Sequence, residues 1–196
     1  YTYPGSLTTP PCDETVTWIV LAKAHTASQG QLDRVKAIFA EPQNNRPLQP
    51  LYGRVVNKNI GGIRVSPVGG GSGNGGPSSG NAISATIGST DRRRRSSWTY
   101  VLPSEWAASY PECGGRQQSP IDIVKSDAVT TIQNKDLFSA MTFFGVSGEV
   151  QNTGHGLQVN GKFTSIEVVG TTYNALQYHL HFPSEHAFDG QLSEGE

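Results

Sequence analysis

Residues 173–190, YNALQYHLHFPSEHAFDG, decide how the rest of the chain is interpreted. This stretch holds three of the five histidines, and His179 and His181 lie two positions apart among bulky neighbours. Such an alternation of bulky and polar residues predicts a β-strand. Side chains two apart on a strand point to the same face, so both imidazoles project together, with their Cα atoms about 7 Å apart. Two neutral imidazoles on one face can bind a Zn²⁺ ion.

Gln177 and Glu185 flank this histidine pair. Gln177 continues the alternation, so its amide is expected beside His179, where it can fix the tautomer of the ring. Pro183 ends the strand and places the carboxylate of Glu185 just beyond it, within reach of a metal-bound group. A His-x-His pair on a strand also occurs on polar sheet faces that bind no metal, so the motif alone leaves both interpretations open.

The composition limits the class of protein. With 35% hydrophobic and 16% charged residues and a net charge of −1, the 196 residues predict a soluble chain with enough apolar side chains for a core. No run of 18 apolar residues occurs, so no membrane span is expected. The near-neutral charge predicts no general attraction to nucleic acid or to membranes. The first residues show no signal-peptide pattern.

The beginning of the chain offers further candidate site residues. Thr8 and Thr9 stand in a turn-rich loop before two prolines, where threonine hydroxyls can serve a site or only stabilise the turn. Residues 15–23, TVTWIVLAK, are β-branched and aromatic and predict a buried strand. Val16 and Trp18 share one face of this strand and fit either a pocket wall or an ordinary core.

The composition changes sharply in residues 57–97. The sequence GGGSGNGGPSSGN within this stretch has almost no apolar content and cannot offset its ordering entropy, so a flexible Gly/Ser-rich linker is predicted. Four consecutive arginines at residues 92–95 fit a protease site, a patch for an acidic partner or the solvated end of a linker. The linker divides the chain into a first arm, residues 1–56, and a second arm, residues 98–196.

Glycines separate short β-rich runs in residues 143–169 of the second arm. This spacing and the Asn160-Gly161 pair predict antiparallel hairpins. His155 lies beside glycines in this region. Imidazole titrates near neutral pH and can relay protons, although a lone histidine beside a glycine is also an ordinary surface residue.

Several stretches in both arms resemble the α-class carbonic anhydrases. They are YPGSLTTPPC at residues 3–12, VTW at 16–18, NNRPLQPL at 44–51, QSPIDI at 118–123, NTGH at 152–155 and QYHLHFPSEHAFDG at 177–190. The resemblance implies a mainly β (α+β) fold, with a large, mostly antiparallel twisted sheet and a few short helices. It also implies a zinc enzyme that reversibly hydrates carbon dioxide to bicarbonate and a proton.

The same resemblance implies roles for individual residues. His179 and His181 match zinc ligands. Thr8 and Glu185 match the pair that orients the zinc-bound hydroxide, and His155 matches the proton shuttle. The supporting residues implied are Gln177 for His179, Asn44 for His181, and Leu7, Thr9, Val16 and Trp18 in the substrate pocket.

Cys12 and Cys113, which are the only two cysteines, match positions that carry cysteines in extracellular members of that family. The resemblance therefore implies a disulfide between them; two unpaired buried thiols are the alternative. A disulfide indicates an oxidising compartment, so the protein is expected to be secreted or lumenal.

The motifs stand in reversed order relative to the family. The first arm resembles the family's C-terminal part and the second arm its N-terminal part, and the central block with the third zinc-binding histidine is absent. We expect another domain or chain to supply this block, most simply in a polypeptide with tandem anhydrase domains, and we expect the isolated chain to be weakly active or inactive. The alternative is a non-catalytic carbonic-anhydrase-like module with an extracellular binding or structural role.

Overall fold

Short β-strands dominate the part of the chain that the computed structural model describes, namely residues 1–37, 43–59, 65–66, 98–131, 138–143, 148–161, 164–168 and 171–196. The first arm contains β1 (Thr2–Gly5), β2 (Val16–Ile19) and α1 (Gln29–Lys36), and the segment predicted as a linker contains β3 (Asn57–Asn59) and β4 (Val65–Ser66). The second arm contains α2 (Trp106–Ser109), β5 (Asp122–Ile123), β6 (Val129–Thr131), β7 (Phe138–Phe143), β8 (Gly148–Asn152), β9 (Leu157–Gly161), β10 (Thr164–Val168), β11 (Thr171–Asn174), β12 (Gln177–His179), β13 (Ala187–Phe188) and β14 (Gln191–Leu192). The predicted mainly β fold with a few short helices is confirmed.

Four small sheets organise these strands. Their orders are β2-β1-β3-β6, β11-β10-β7-β4, β12-β9-β8 and β14-β13-β5. Antiparallel pairs predominate, as predicted, and the hairpin β8–β9 pairs Val150 with Val159 across the turn at residues 153–156. Among the described elements, α1 and α2 are the only α-helices, and no helix there is both long and apolar enough to cross a bilayer.

The first of these sheets joins the two arms. Strand β3 pairs with β1 of the first arm and, in parallel, with β6 of the second arm, where Asn57 stands opposite Val129. Asn57–Asn59 form this strand although they lie within the segment predicted as a linker. The rest of that segment, apart from β4, lies outside the described residues.

Both arms contribute to one hydrophobic core. Tyr3 and Val56 of the first arm pack with Ile121 and Ile123 of the second, and each side chain is at most 6% exposed. Fully burying side chains of this size stabilises a fold by about 1.5–3 kcal/mol each. The two arms therefore form a common structure.

A second cluster surrounds the predicted disulfide. Cys12 and Cys113 are bonded and buried together with Trp106. Trp98 and Tyr100 pack against this cluster at its edge. The predicted pairing of the cysteines is confirmed, and it links the arms covalently across 101 positions of sequence.

Candidate metal centre

Strand β12 and the residues after it bring two imidazoles together. His179, at the end of β12, stands opposite Gln158 of β9. His181 lies beyond the regular strand, but it exchanges two backbone hydrogen bonds with Glu196, of 2.8 and 3.0 Å. The rings of His179 and His181 have centroids 4.8 Å apart. The predicted strand is thus shorter than expected, yet the two rings are adjacent.

Hydrogen bonds fix the tautomers of both rings. The Nδ1 atom of His179 lies 2.9 Å from Oε1 of Gln177, and Nδ1 of His181 contacts the backbone carbonyl oxygen of Asn44. These oxygens only accept, so each Nδ1 carries the proton and each Nε2 keeps a lone pair. Gln177 and Asn44 therefore contact the two imidazoles that they were expected to support, and their support of metal ligands stays a prediction.

The side chain of Asn44 also holds the backbone around His181. Its Nδ2 donates to the carbonyl of Leu180 at 2.8 Å, and its Oδ1 accepts the backbone N–H of Phe182 at 2.8 Å. The residues on both sides of His181 are thereby tied to one buried amide of the first arm. The orientation of this imidazole depends on contact between the arms.

The electrostatics favour neutral rings at both positions. Burial lowers the pKa of His181, and its hydrogen bond to the Asn44 carbonyl only partly opposes this effect. The pKa of His179 is also lowered, first by desolvation and then by the neighbouring His181, although the residue is exposed and its desolvation is therefore only partial. Neutral imidazole is the form that binds a metal, so both groups are in the ligating form near neutral pH.

Glu185 forms a buried carboxylate site next to the histidines. Its side chain is 2% exposed, and its Oε2 lies 3.6 Å from Nε2 of His181. Oε1 accepts the backbone N–H of Arg46 at 3.0 Å, and the carboxylate also accepts a hydrogen bond from Thr8. Burial raises the pKa of Glu185 to about 7, although the bonds from Thr8 and Arg46 favour the ionised form. The predicted Thr8–Glu185 pair is in contact.

A third group of site residues was missed by the sequence analysis. Glu196 accepts from Nδ1 of His186 at 2.7 Å, and its other oxygen accepts the backbone N–H groups of Glu185 and His186. On the opposite side, Nε2 of His186 lies 2.7 Å from the hydroxyl of Tyr3, whose pKa is raised by burial. Glu196 therefore braces the loop that carries Glu185. The sequence signal that could have indicated this role is the position of His186 directly after Glu185 in QYHLHFPSEHAFDG, residues 177–190.

The predicted pocket residues do not all line an open surface. Leu7 is 42% exposed, and Thr9 and Val16 are half-buried. Trp18 instead packs on the ring of His186, with centroids 4.7 Å apart, at the edge of the core around Tyr3. The face of β2 that carries Trp18 thus packs against the loop that carries Glu185 and His186.

His155 lies apart from the paired imidazoles in sequence but on a connected element. It occupies the turn before β9, the strand whose Gln158 faces His179. Its half-buried ring stacks on Trp98 at a centroid distance of 3.8 Å and an interplanar angle of 15°. The predicted shuttle is therefore held against an aromatic side chain of the second arm.

The donor set fits zinc in kind but is incomplete. Two neutral imidazoles with outward lone pairs are suitable ligands, whereas catalytic zinc sites use three protein ligands. Among the described residues, no group of three or more His, Cys, Asp or Glu side chains could hold a metal ion. A third ligand must come from elsewhere if this centre binds zinc.

The described part of this mainly antiparallel chain places two neighbouring histidines beside a buried carboxylate that accepts a hydrogen bond from a threonine. The family model of the eukaryotic-type carbonic anhydrases matches residues 1–60 and 102–196. The chain belongs to this family, as its motifs predicted.

Individual relatives match unequal parts of the chain. A carbonic anhydrase of Dunaliella salina is 33% identical over 214 residues, which cover 97% of this chain and 31% of that protein. A carbonic anhydrase of Nostoc sp. (strain PCC 7120) is 52% identical over 56 residues, covering 29% of this chain and 20% of that protein. The solved α-carbonic anhydrase of Thermovibrio ammonificans in complex with sulfanilamide is 29% identical with a TM-score of 0.44, covering 50% of this chain and 46% of that one. The chain thus spans at most about a third of the length of these two sequence relatives.

Proposed function

We propose that this chain is part of a zinc-dependent carbonic anhydrase, which reversibly hydrates carbon dioxide to bicarbonate and a proton. One observation carries the proposal: His179 and His181 present two neutral imidazoles beside the buried Glu185–Thr8 pair. A zinc ion held by three histidines lowers the pKa of water to about 7 and so supplies hydroxide at neutral pH. His179 and His181 would hold this ion together with a third histidine from outside these residues.

The residues around the centre would orient and exchange protons. The Thr8 hydroxyl donates its hydrogen to Glu185. The Thr8 oxygen therefore keeps lone pairs that can accept a hydrogen bond from the attacking water or hydroxide. This contact would aim the nucleophile at carbon dioxide resting on the apolar side chains of Leu7 and Val16. His155 would pass the released proton to buffer.

The backbone pairing suggests where a third histidine would enter. His181 and Glu196 exchange both backbone hydrogen bonds, which defines a directly opposed pair of an antiparallel ladder. In such a ladder, the position two residues after Glu196 stands opposite His179, with its side chain on the same face. A histidine there would converge on the same point as His179 and His181.

The order of the arms supports a tandem arrangement of domains. The match to the Dunaliella salina protein runs through nearly the whole of this chain in one direction. We infer that this chain joins the end of one anhydrase domain to the start of the next, and that the parent polypeptide contains the missing central block. The Cys12–Cys113 disulfide supports a secreted or lumenal location.

Zinc affinity tests this proposal directly. Zinc would be titrated against a chromogenic chelator in the presence of each of three proteins. These are residues 1–196, the same chain extended at its C-terminus by alanine and then histidine, and the same chain extended there by two alanines. The histidine extension should bind zinc at least about tenfold more tightly than the alanine extension, because it completes three-ligand coordination. His179→Ala should remove this gain.

Equal zinc affinity of the two extensions would contradict the proposed third position. Stopped-flow hydration of carbon dioxide would then be measured on the parent polypeptide and on residues 1–196. Activity of the parent, with little or none in residues 1–196, is expected. A parent that binds no zinc and hydrates no carbon dioxide would favour a non-catalytic binding or structural module.

A further inference from the structure

The tripeptide Asn44-Asn45-Arg46 runs alongside the loop that carries the site. The carbonyl oxygen of Asn44 accepts from Nδ1 of His181, and the backbone N–H of Arg46 donates to Glu185 at 3.0 Å. Two backbone groups in one short segment therefore hold two site residues. Any movement of this segment changes the separation of the imidazole and the carboxylate.

The guanidinium of Arg46 anchors that segment. Its side chain is 3% exposed and its Nη1 donates to Gln118 Oε1 at 2.7 Å and to the Ser119 carbonyl at 2.9 Å. Its Nη2 donates to the Cys113 carbonyl at 2.9 Å, and its Cζ lies 5.5 Å from the ring centre of Trp106. All of these partners belong to the second arm, so the side chain fixes the first arm against it.

We propose that Arg46 is a positioning residue of the metal centre, which acts through its own backbone and that of Asn44 to set the geometry of His181 and Glu185. The importance of this role for catalysis rests on the proposed function, whereas the effect of Arg46 on the positions of His181 and Glu185 does not. Arg46 reaches neither imidazole with its side chain. Its effect passes through the carbonyl of Asn44 and its own N–H group.

The planar guanidinium is suited to this task and an ammonium is not. A guanidinium offers five donors in a rigid fork, and here two nitrogens satisfy three acceptors in different directions. A lysine at the same place has one nitrogen and a higher cost of burial. Arg46→Lys should therefore release the segment while it preserves formal charge.

The test uses residues 1–196 labelled with ¹⁵N at histidine and observes the Nδ1–H groups by NMR. In Arg46→Lys, exchange of the His181 Nδ1–H with water should become about tenfold faster, because its acceptor on Asn44 is no longer held in place. The His186 Nδ1–H, which is held by Glu196, should not change. A general loosening of the fold would accelerate both groups and would overturn the proposal.

Arg54→Lys is the matched control. Arg54 makes four hydrogen bonds to backbone carbonyls, those of Leu51, Pro4, Pro50 and Gln118, and none of these groups belongs to the tripeptide. Its substitution should leave exchange at His181 unchanged. An effect at His181 as large as that of Arg46→Lys would contradict a specific role for Arg46.

Gln118→Met provides a second variant if Arg46→Lys does not fold, although it also removes the contacts of Gln118 with Ser6, Cys12 and Glu14. It removes one of the three acceptors of the guanidinium and should accelerate exchange at His181 by a few-fold, with no change at His186. No change at His181 would overturn the proposal. Because these measurements need no zinc and no turnover, they succeed or fail independently of anhydrase activity in the parent polypeptide.

Discussion

Removing the Cys12–Cys113 disulfide should destabilise the fold by several kcal/mol. The bond closes a loop across 101 positions of sequence, and the chain-entropy relation for a loop of about 100 residues gives about 4.7 kcal/mol at 25 °C. Native disulfides of small domains typically contribute about 2–5 kcal/mol, so the estimate lies at the upper end of that range. The loop is long because the bond joins the beginning of the first arm to the second arm.

The double variant Cys12→Ala and Cys113→Ala is the suitable perturbation. Both side chains are buried, and alanine avoids placing hydroxyl groups without partners among Trp106 and its neighbours. Urea unfolding followed by tryptophan fluorescence would give the free energy of unfolding of both proteins. Non-reducing peptide mapping of the unsubstituted chain would verify the bond. A loss below about 1 kcal/mol, at an unchanged m-value, would refute this account of how the arms are held.

Two further predictions concern single side chains. The pKa of Glu185 is about 7 in the folded, metal-free chain and about 4.5 when unfolded, so the folded state binds the proton more tightly. The contribution of protonated Glu185 to stability therefore declines as pH rises from about 4.5 to 7, by about 3 kcal/mol at most. Urea unfolding across this range should show that decline relative to Glu185→Gln, and parallel curves for the two proteins would contradict it. In the parent polypeptide, His155→Ala should slow carbon dioxide hydration mainly at low buffer concentration, since added buffer can replace a proton shuttle; an equal loss at all buffer concentrations would argue for another role.

The sequence predicted those features that a short stretch of residues determines. The spacing of His179 and His181 was enough to place both rings on one side, and the following proline and glutamate indicated the carboxylate. Contacts between distant residues were predicted only through the family resemblance, as for Cys12 and Cys113, and the contact of Tyr3 with His186 across 183 positions was not predicted. Trp18 shows the same limit, because a strand pattern cannot tell a pocket wall from a core face and its ring packs on His186.

The candidate centre depends on the association of the arms because its hydrogen bonds cross between them. His181 is oriented by Asn44, and Glu185 is held by Thr8 and Arg46, so each of these two second-arm groups has its partners in the first arm. Separating the arms would exchange these hydrogen bonds for hydrogen bonds to water, at a net loss of about 0.5–1.5 kcal/mol for each bond. Formation of the centre and docking of the arms are therefore one event. Variants that loosen the interface should lose site geometry before they lose the separate hairpins of the second arm.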